Sequence, residues 1–165
     1  MRWEVKLKHK LEQTKIYKQE KIMTQTTNIN YGALTTRLAL GGILLSHGLL
    51  KVLVFTIPGT VGYFESLGLP SITAYLTIFG ELAGGTAILL GLYTRLAALL
   101  SIPILAGAAI VHAANGWVFS NQGGGWEFPL LLVVLAFAVA LQGGGSFALR
   151  KLPFVDAFIP TILKA

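Results

Sequence analysis

The sequence predicts an all-α integral membrane protein, a bundle of four transmembrane helices with both termini on the cytoplasmic side and no strands of note. Of its 165 residues, 54% are hydrophobic and only 12% are charged, whereas ordinary soluble domains carry roughly 25% charged residues. A chain of this length with so few polar groups cannot cover its own surface, so lipid is the expected solvent. The lengths of the apolar runs and the placement of Lys and Arg give the rest of the prediction.

Four apolar runs are candidates for membrane crossing. They span residues 34–55, 72–92, 96–114 and 127–143, and about 20 helical residues cross a hydrocarbon core of ~30 Å. The fourth run is short, so we expect it to use its flanks or to sit with little tilt. No stretch alternates apolar and polar residues for long enough to favour a barrel. Residues 31–149 are therefore the predicted four-helix membrane domain.

The distribution of basic residues predicts the orientation. Seven of the thirteen Lys and Arg lie in the first 21 residues, and basic segments stay on the cytoplasmic side. Arg37, Arg95 and the basic residues of 150–165 return to that side, where the two arginines are expected to act as topology anchors. The pattern predicts a multi-pass membrane protein with cytoplasmic tails at 1–30 and 150–165.

The N-terminal tail leaves two questions open. Its charge run is typical of a solvated segment, although Trp3, Leu7 and Leu11 recur at helical spacing and a short interfacial helix is an alternative. Met23 resembles a natural start, which would make residues 1–22 an upstream extension. The net charge of +6 comes mostly from this tail, so we expect attraction to an anionic leaflet and no nucleic-acid binding.

The connections between the runs are also informative. Residues 56–71 are bounded by Pro58 and Pro70 and predict a loop that could hold a short interfacial helix. Residues 115–126 are rich in glycine and aromatic residues and carry no charge. The chain has no cysteine, which excludes disulfides, cysteine-ligated iron–sulfur clusters and dithiol chemistry within it.

Ionisable residues inside the apolar runs are the candidate functional groups. His47 and Lys51 lie one turn apart, about 15 Å and 21 Å along the first helix from Arg37 by helical rise. Glu81 lies about 14 Å below the outer surface on the second helix by the same rise. A lone charge at the membrane centre costs roughly 2.5–3.5 kcal/mol. We therefore predict that His47 and Glu81 pair at the midplane and form the floor of a polar chamber open or gated toward the outer side.

A second group of polar residues is expected in the outer part of the bundle. The third helix ends and the fourth begins there, so the group comprises Lys51, His112, Asn115, Trp126 and Glu127. Intramembrane ionisable residues mark functional sites by default. Glu81 and His47 are the candidate catalytic residues for proton transfer, and the outer group is the candidate substrate-binding set.

Each of these residues also has a structural interpretation. Glu81 and His47 could only lock two helices together, and Lys51 could extend toward the headgroups. His112 and Asn115 could simply end a helix, while a carboxylate at Glu127 suits a helix start. We expect no metal site, because no HxxxH or ExxH pair lies on one helix.

Several motifs resemble those of the DoxX family of small four-helix membrane proteins. They are Arg37-Leu-x-Leu-Gly, His47-Gly-x-x-Lys51, Gly62-x-Phe64-x-Ser66-x-Gly68-x-Pro70, Glu81-x-x-Gly84-Gly85, Gly91-x-x-Thr94-Arg95, His112 with Gly116, and Gly125-x-Glu127. The resemblance covers about residues 34–149. It implies a role in bacterial inner-membrane redox systems, as a subunit of quinol oxidases or thiosulfate:quinone oxidoreductases or in responses to quinones, catechols or oxidative stress. It assigns no role to individual residues.

Three functional hypotheses follow. The first is a membrane-embedded oxidoreductase subunit that binds a quinone, quinol or small phenolic in the outer half of the bundle. It implies a redox partner subunit or a bound group, with quinone favoured over haem or flavin, and it allows a homo-oligomer. The second is a non-enzymatic scaffold for soluble redox enzymes, and the third is a pathway for small solutes or protons.

Overall fold

The computed structural model describes residues 2–149 and 159–163, and these residues form helices and turns with no β-strand. The principal helices are α1 (Arg2–Leu49), α2 (Ile57–Ser66), α3 (Ser71–Phe79), α4 (Gly85–Leu90), α5 (Thr94–His112) and α6 (Glu127–Gln142). Short 3-10 turns follow at Ala113–Asn115 and Thr161–Leu163. The all-helical prediction is confirmed, and α2 is the short helix expected within residues 56–71. Most of the predicted C-terminal tail lies outside the described residues.

Three helical stretches are long and apolar enough to cross a membrane. They are Lys6–Val54, Ser71–Leu90 and Thr94–Asn115. Helix α6 is apolar but has only 16 residues, which corresponds to a rise of about 24 Å. The chain is thus a multi-pass membrane protein by its helices, while a fourth crossing and the orientation stay predictions.

Two π-helical turns interrupt the α-helices. Leu50–Val54 continues α1, and Gly80–Gly84 joins α3 to α4. In such a turn the hydrogen bond spans five residues instead of four, so the turn is wider; π turns are rare and occur often at functional sites. Lys51 lies in the first and Glu81 in the second, so both ionisable residues stand on wide turns.

The basic N-terminal segment is helical. It continues without a break into the apolar part of α1, whereas its run of charges alone predicted a solvated tail. Its apolar residues remain exposed, including Trp3 and Leu11. Lys15 and Glu12 form a surface ion pair at 3.1 Å, a contact that contributes little to stability.

The apolar core lies where α1, α4, α5 and α6 meet. Its buried side chains are Leu40, Leu44, Ile88, Ala98, Leu105, Leu132, Ala136 and Val139. Glycines bring α1 and α4 to backbone distance, because a Cβ atom on Gly85 would lie 2.6 Å from the Leu45 nitrogen and one on Gly41 2.8 Å from the Leu89 nitrogen. This agrees with the rule that small residues let membrane helices approach closely.

Another polar group lies beyond the core, at the end of the molecule where α6 finishes. Arg37 is buried and donates from Nη2 to the Ser146 carbonyl at 3.2 Å. Beside it, the Thr36 hydroxyl donates to Gln142 Oε1 at 2.7 Å. We call Thr36, Arg37, Gly91, Gln142 and Ser146 the inner cluster. Arg37 is therefore buried in protein, whereas a simple topology anchor would lie at the membrane surface.

Candidate functional site

The centre of the site is an ion pair between the two π turns. Lys51 Nζ lies 2.9 Å from Glu81 Oε1 and 2.8 Å from Oε2. Hydrogen-bond geometry is met only at Oε1, which leaves Oε2 buried without a hydrogen bond. The side chains are 17% and 8% exposed, so the pair is held largely inside the protein.

This pair corrects the prediction that Glu81 pairs with His47. None of the described hydrogen bonds or ion pairs connects His47 with Glu81. The reason lies in side-chain length. Lys51 is one helical turn further along than His47, and its flexible four-carbon stem lets the ammonium reach back across that turn to Glu81. The Lys51 backbone is fixed as well, since the buried Thr60 hydroxyl of α2 donates to its carbonyl at 3.0 Å.

A cavity of about 300 Å³ lies beside the ion pair. We call it the chamber. Its polar wall consists of His47, Lys51, Glu81 and His112, and the rest is apolar or glycine: Ile43, Leu44, Leu105, Ala108, Phe119, Gly124, Gly125, Phe128, Pro129 and Leu132. The two histidines and the ion pair, which come from three helical stretches, thus line one partly open cavity.

His112 is oriented by the loop that follows α5. Its Nδ1 lies 2.9 Å from the Gly123 carbonyl oxygen, and the Asn115 side-chain amide donates to the same oxygen at 3.0 Å. A carbonyl oxygen only accepts, so Nδ1 carries the proton in this contact. The other ring nitrogen, Nε2, is then the acceptor of the neutral ring.

The remaining predicted residues shape that loop. Glu127 Oε1 accepts a hydrogen bond from the Phe119 backbone N–H at 2.8 Å. The Trp126 ring packs edge-on against Trp117, with centroids 4.4 Å apart and planes at 85°. Asn115, Trp126 and Glu127 are absent from the chamber wall of the described chain, so any contact of theirs with a ligand stays a prediction.

Two further spaces adjoin the chamber. A groove of about 680 Å³ runs along the outside of α6 and is lined by Trp117, Phe119, Glu127, Phe128, Leu130, Leu131 and Val134. We call it the lateral groove, and it shares Phe119 and Phe128 with the chamber. A pocket of about 570 Å³ against α2 shares Lys51 and His112 with it.

The chamber volume limits what it can hold. Small-molecule sites span roughly 300–1,000 Å³, and the chamber is at the lower end of that range. It suits one aromatic ring with small substituents and does not fit a haem or a flavin. Among residues 2–149 and 159–163, no three His, Asp or Glu side chains gather in a way that could hold a metal ion.

Sequence reasoning missed several residues of the site. Thr60 carries no signal in the sequence, since a threonine in a short helix has many uses. Phe119 and Phe128 had a partial signal, because an uncharged aromatic loop predicts an interfacial belt but not a chamber wall. The π turns had no signal in the sequence, since nothing in the apolar pattern distinguishes them from α-helix.

Comparison with known proteins agrees with the resemblance noted in the sequence. The DoxX family model matches residues 32–114. The chain is 36% identical over 124 residues to the "Putative oxidoreductase CatD" of Bacillus subtilis (strain 168), an alignment that covers 75% of this chain and 87% of that protein. No solved structure matches the chain. The family match covers half of the chain and the relative is aligned over most of its length, so this protein belongs to the DoxX family.

Proposed function

We propose that the protein is a subunit of a membrane-embedded oxidoreductase that binds a quinone, a quinol or a small phenolic in the chamber. The observation that carries the proposal is the chamber itself, where an ion pair and two histidines face a space of about 300 Å³ with apolar walls. Such a mixture of apolar walls and few convergent polar groups is typical of small-molecule sites. The name of the Bacillus relative supports the same reaction class.

The setting of the chamber is part of the proposal. Helix α6 makes a fourth crossing, both termini face the cytoplasm, and the membrane is the bacterial inner membrane. The cation distribution supports this arrangement, because Lys and Arg are concentrated in the first 21 residues and after α6. The chamber, at the opposite end of the helices from the inner cluster, then opens toward the outer leaflet.

The side chains around the chamber divide the chemistry between them. Oxidation of a quinol to a quinone releases two protons and two electrons. Glu81 and His47 accept protons in this scheme, and Lys51 donates a hydrogen bond to a ligand oxygen. The electrons pass to a redox group on a partner subunit, because this chain has no cysteine and the chamber does not fit a haem or flavin.

The lateral groove supports entry of a lipid-soluble ligand from the membrane. Its wall is apolar and exposed, with Phe119 at 67% and Leu131 at 60% exposure. Phe119 and Phe128 separate it from the chamber. A ring moving between these two side chains would pass from lipid to the ion pair without crossing water.

The test is the small-molecule content of the protein purified gently in detergent. Solvent extraction and mass spectrometry should recover a quinone or phenolic in amounts comparable to the protein. Ala108→Phe, which places a ring in the chamber, should abolish this recovery. Ile110→Phe, on an exposed face of the same helix, is the matched control and should retain it. Equal recovery from both variants would contradict the proposal.

A scaffold function has one observation in its favour. Residues 2–30 form an exposed basic helix that contacts little of the rest of the described chain. If this helix recruits soluble redox enzymes, deletion of residues 1–30 should abolish their co-purification while Ala108→Phe leaves it intact. A proton or solute pathway has less support, because buried Leu40, Leu44 and Ile88 fill the space between the chamber and the inner cluster.

A further inference from the structure

The polar atoms around the chamber are unequally satisfied, and this difference points to a ligand class. We propose that the chamber selects aromatic compounds that carry hydroxyl groups, such as phenols and hydroquinones, over the corresponding quinones. The inference rests on the proposed function, because it assumes that the chamber is the ligand site. It goes further because it states that the chamber prefers the reduced, hydroxylated form of the ligand.

Glu81 supplies the first acceptor. Its carboxylate has two oxygens with about four acceptor positions, and Lys51 Nζ lies 2.9 Å from Oε1, in hydrogen-bond geometry, and 2.8 Å from Oε2. Oε2 is buried against this ammonium, so the acceptor position open to a ligand is on Oε1 of this chamber-lining residue. An O–H group in the chamber could donate to this carboxylate, whereas a carbonyl group could not.

His112 supplies the second acceptor. Because its Nδ1 is directed at the Gly123 carbonyl, the acceptor nitrogen of the neutral ring is Nε2. No described residue donates a hydrogen bond to that nitrogen, and the side chain lines the chamber. The loop therefore holds His112 in an orientation in which Nε2 can accept a hydrogen bond from a ligand.

Lys51 offers the opposite kind of group. Its ammonium has three N–H donors, and one of them is used by Glu81. A hydroxyl oxygen can accept from Lys51 while its own hydrogen is donated to Glu81 or His112. A quinone oxygen can only accept, so in its complex Nε2 of His112 would stay unmet and Glu81 would gain no donor beyond Lys51. Burying an unmet acceptor is costly, and this cost is the basis of selection.

The walls favour an aromatic frame for these hydroxyls. Phe119 and Phe128 stand on one side of the chamber, with Leu105 and Leu132 also in its wall. Aromatic rings bury large apolar area and prefer offset or edge-on contacts with other rings. A single substituted ring therefore suits both the size and the lining of the chamber.

The experiment compares three ligands of nearly equal shape. The full chain in detergent is titrated anaerobically with tetramethylhydroquinone, its quinone and its dimethyl ether, and binding is followed by calorimetry. The hydroquinone should bind at least about tenfold more tightly than the other two, because each unmet buried acceptor costs about that factor or more. The ether keeps the ring and both oxygens and replaces each hydroxyl hydrogen with a methyl group, so it tests the loss of the donors, while the quinone tests it without added volume.

Two variants test the assigned acceptors, and the readout is the ratio of affinities within one protein. His112→Phe should reduce the preference for the hydroquinone severalfold. The double variant Lys51→Met with Glu81→Leu, which retains volume and leaves no unpaired charge, should also reduce the ratio severalfold, because only His112 then remains as an acceptor. It gives this result even where the histidine variant fails to fold. Thr35→Val, far from the chamber, should leave the ratio unchanged.

The outcomes separate the two proposals. Equal affinity for all three ligands in the unmodified protein would overturn the selection of hydroxyl groups and leave the chamber as a binding site. A preference of unchanged size in the double variant would overturn the role of Glu81 in it. Failure of all three ligands to bind would overturn the proposed function itself.

Discussion

Two cations on α1 and the π turn that continues it have opposite surroundings. Arg37 and Lys51 are fourteen positions apart, which is about 21 Å along the helix. Lys51 faces a carboxylate across two π turns and borders the chamber. Arg37 donates to a backbone carbonyl in the inner cluster, and it lines neither the chamber, the lateral groove nor the pocket against α2.

This difference in surroundings indicates a binding role for one cation and a structural role for the other. A cation that borders space can exchange its protein partner for a ligand, as Lys51 can. Arg37 is packed so closely that a Cβ atom on Gly91 would overlap its guanidinium. Arg37 therefore connects α1 to the chain after α6, and its contribution is to the fold.

The largest expected effect concerns the ion pair. Glu81→Leu or Lys51→Met alone leaves a buried charge without a partner, and each should lower the free energy of unfolding by about 3–5 kcal/mol. The combined variant should be much closer to the unmodified protein, since an apolar pair of similar volume often replaces a buried ion pair without loss. Thermal and denaturant unfolding in detergent measure the stabilities of the unmodified protein, the two single variants and the combined variant, which together form a double-mutant cycle.

Additive losses in the combined variant would show that the two charges do not depend on each other. The cycle is also informative about the contrast with Arg37. If the pair is replaced at little cost to stability, its presence is explained by ligand binding rather than by folding.

An intermediate effect is expected in the inner cluster. Gly91 has φ +72°, and a Cβ atom there would lie 2.6 Å from the Ala148 side chain as well as against Arg37. Gly91→Ala should cost about 2–4 kcal/mol, from backbone strain and overpacking together. Ligand affinity of the chamber should not change, because the substitution lies beyond the core.

Gly68→Ala is the matched control for this substitution. Gly68 has φ +77° and nothing within 4 Å of the Cβ position, so it carries the same backbone strain without the collision. It should cost about 1–2 kcal/mol. If the two variants unfold at the same denaturant concentration, the close packing around Arg37 does not contribute to the free energy of unfolding.

The smallest effect concerns the Thr36–Gln142 contact. Thr36→Val removes a hydrogen bond between α1 and α6, and such bonds in membrane proteins average about 0.6 kcal/mol. Thr35→Val removes only a bond to the Tyr31 carbonyl within the same helix and should change stability less. The difference in unfolding free energy between the two variants measures the contact, and a difference near zero would argue that it is dispensable.

Sequence alone predicted the class of fold and most members of the site. The apolar runs predict helices because their length and lack of charge leave little else for a membrane protein. The same reasoning placed His47 and Glu81 at the floor of a chamber and Lys51 and His112 in a second, outer group, and the structure has all four in the wall of one chamber. Their roles as proton acceptors or ligand contacts stay predictions.

What the sequence could not predict is which groups meet. Counting depth at a constant rise assumes a uniform α-helix, and the turns that carry Lys51 and Glu81 are π-helical. Depth counting also ignores side-chain length, and therefore paired Glu81 with His47. The burial of Arg37 was missed for a similar reason, since its partner Ser146 follows the last helix at a position that no periodicity marks.

The continuity of α1 has a mechanical consequence. The helix is uninterrupted from Arg2 to Leu49, and the part before the inner cluster, Arg2–Thr35, extends about 51 Å. A rotation of this rod by one residue, about 100°, would turn Lys51 away from Glu81. Arg37, bonded to Ser146 after α6, lies between the two ends of α1 and opposes this rotation, so the inner cluster keeps Lys51 in register with Glu81.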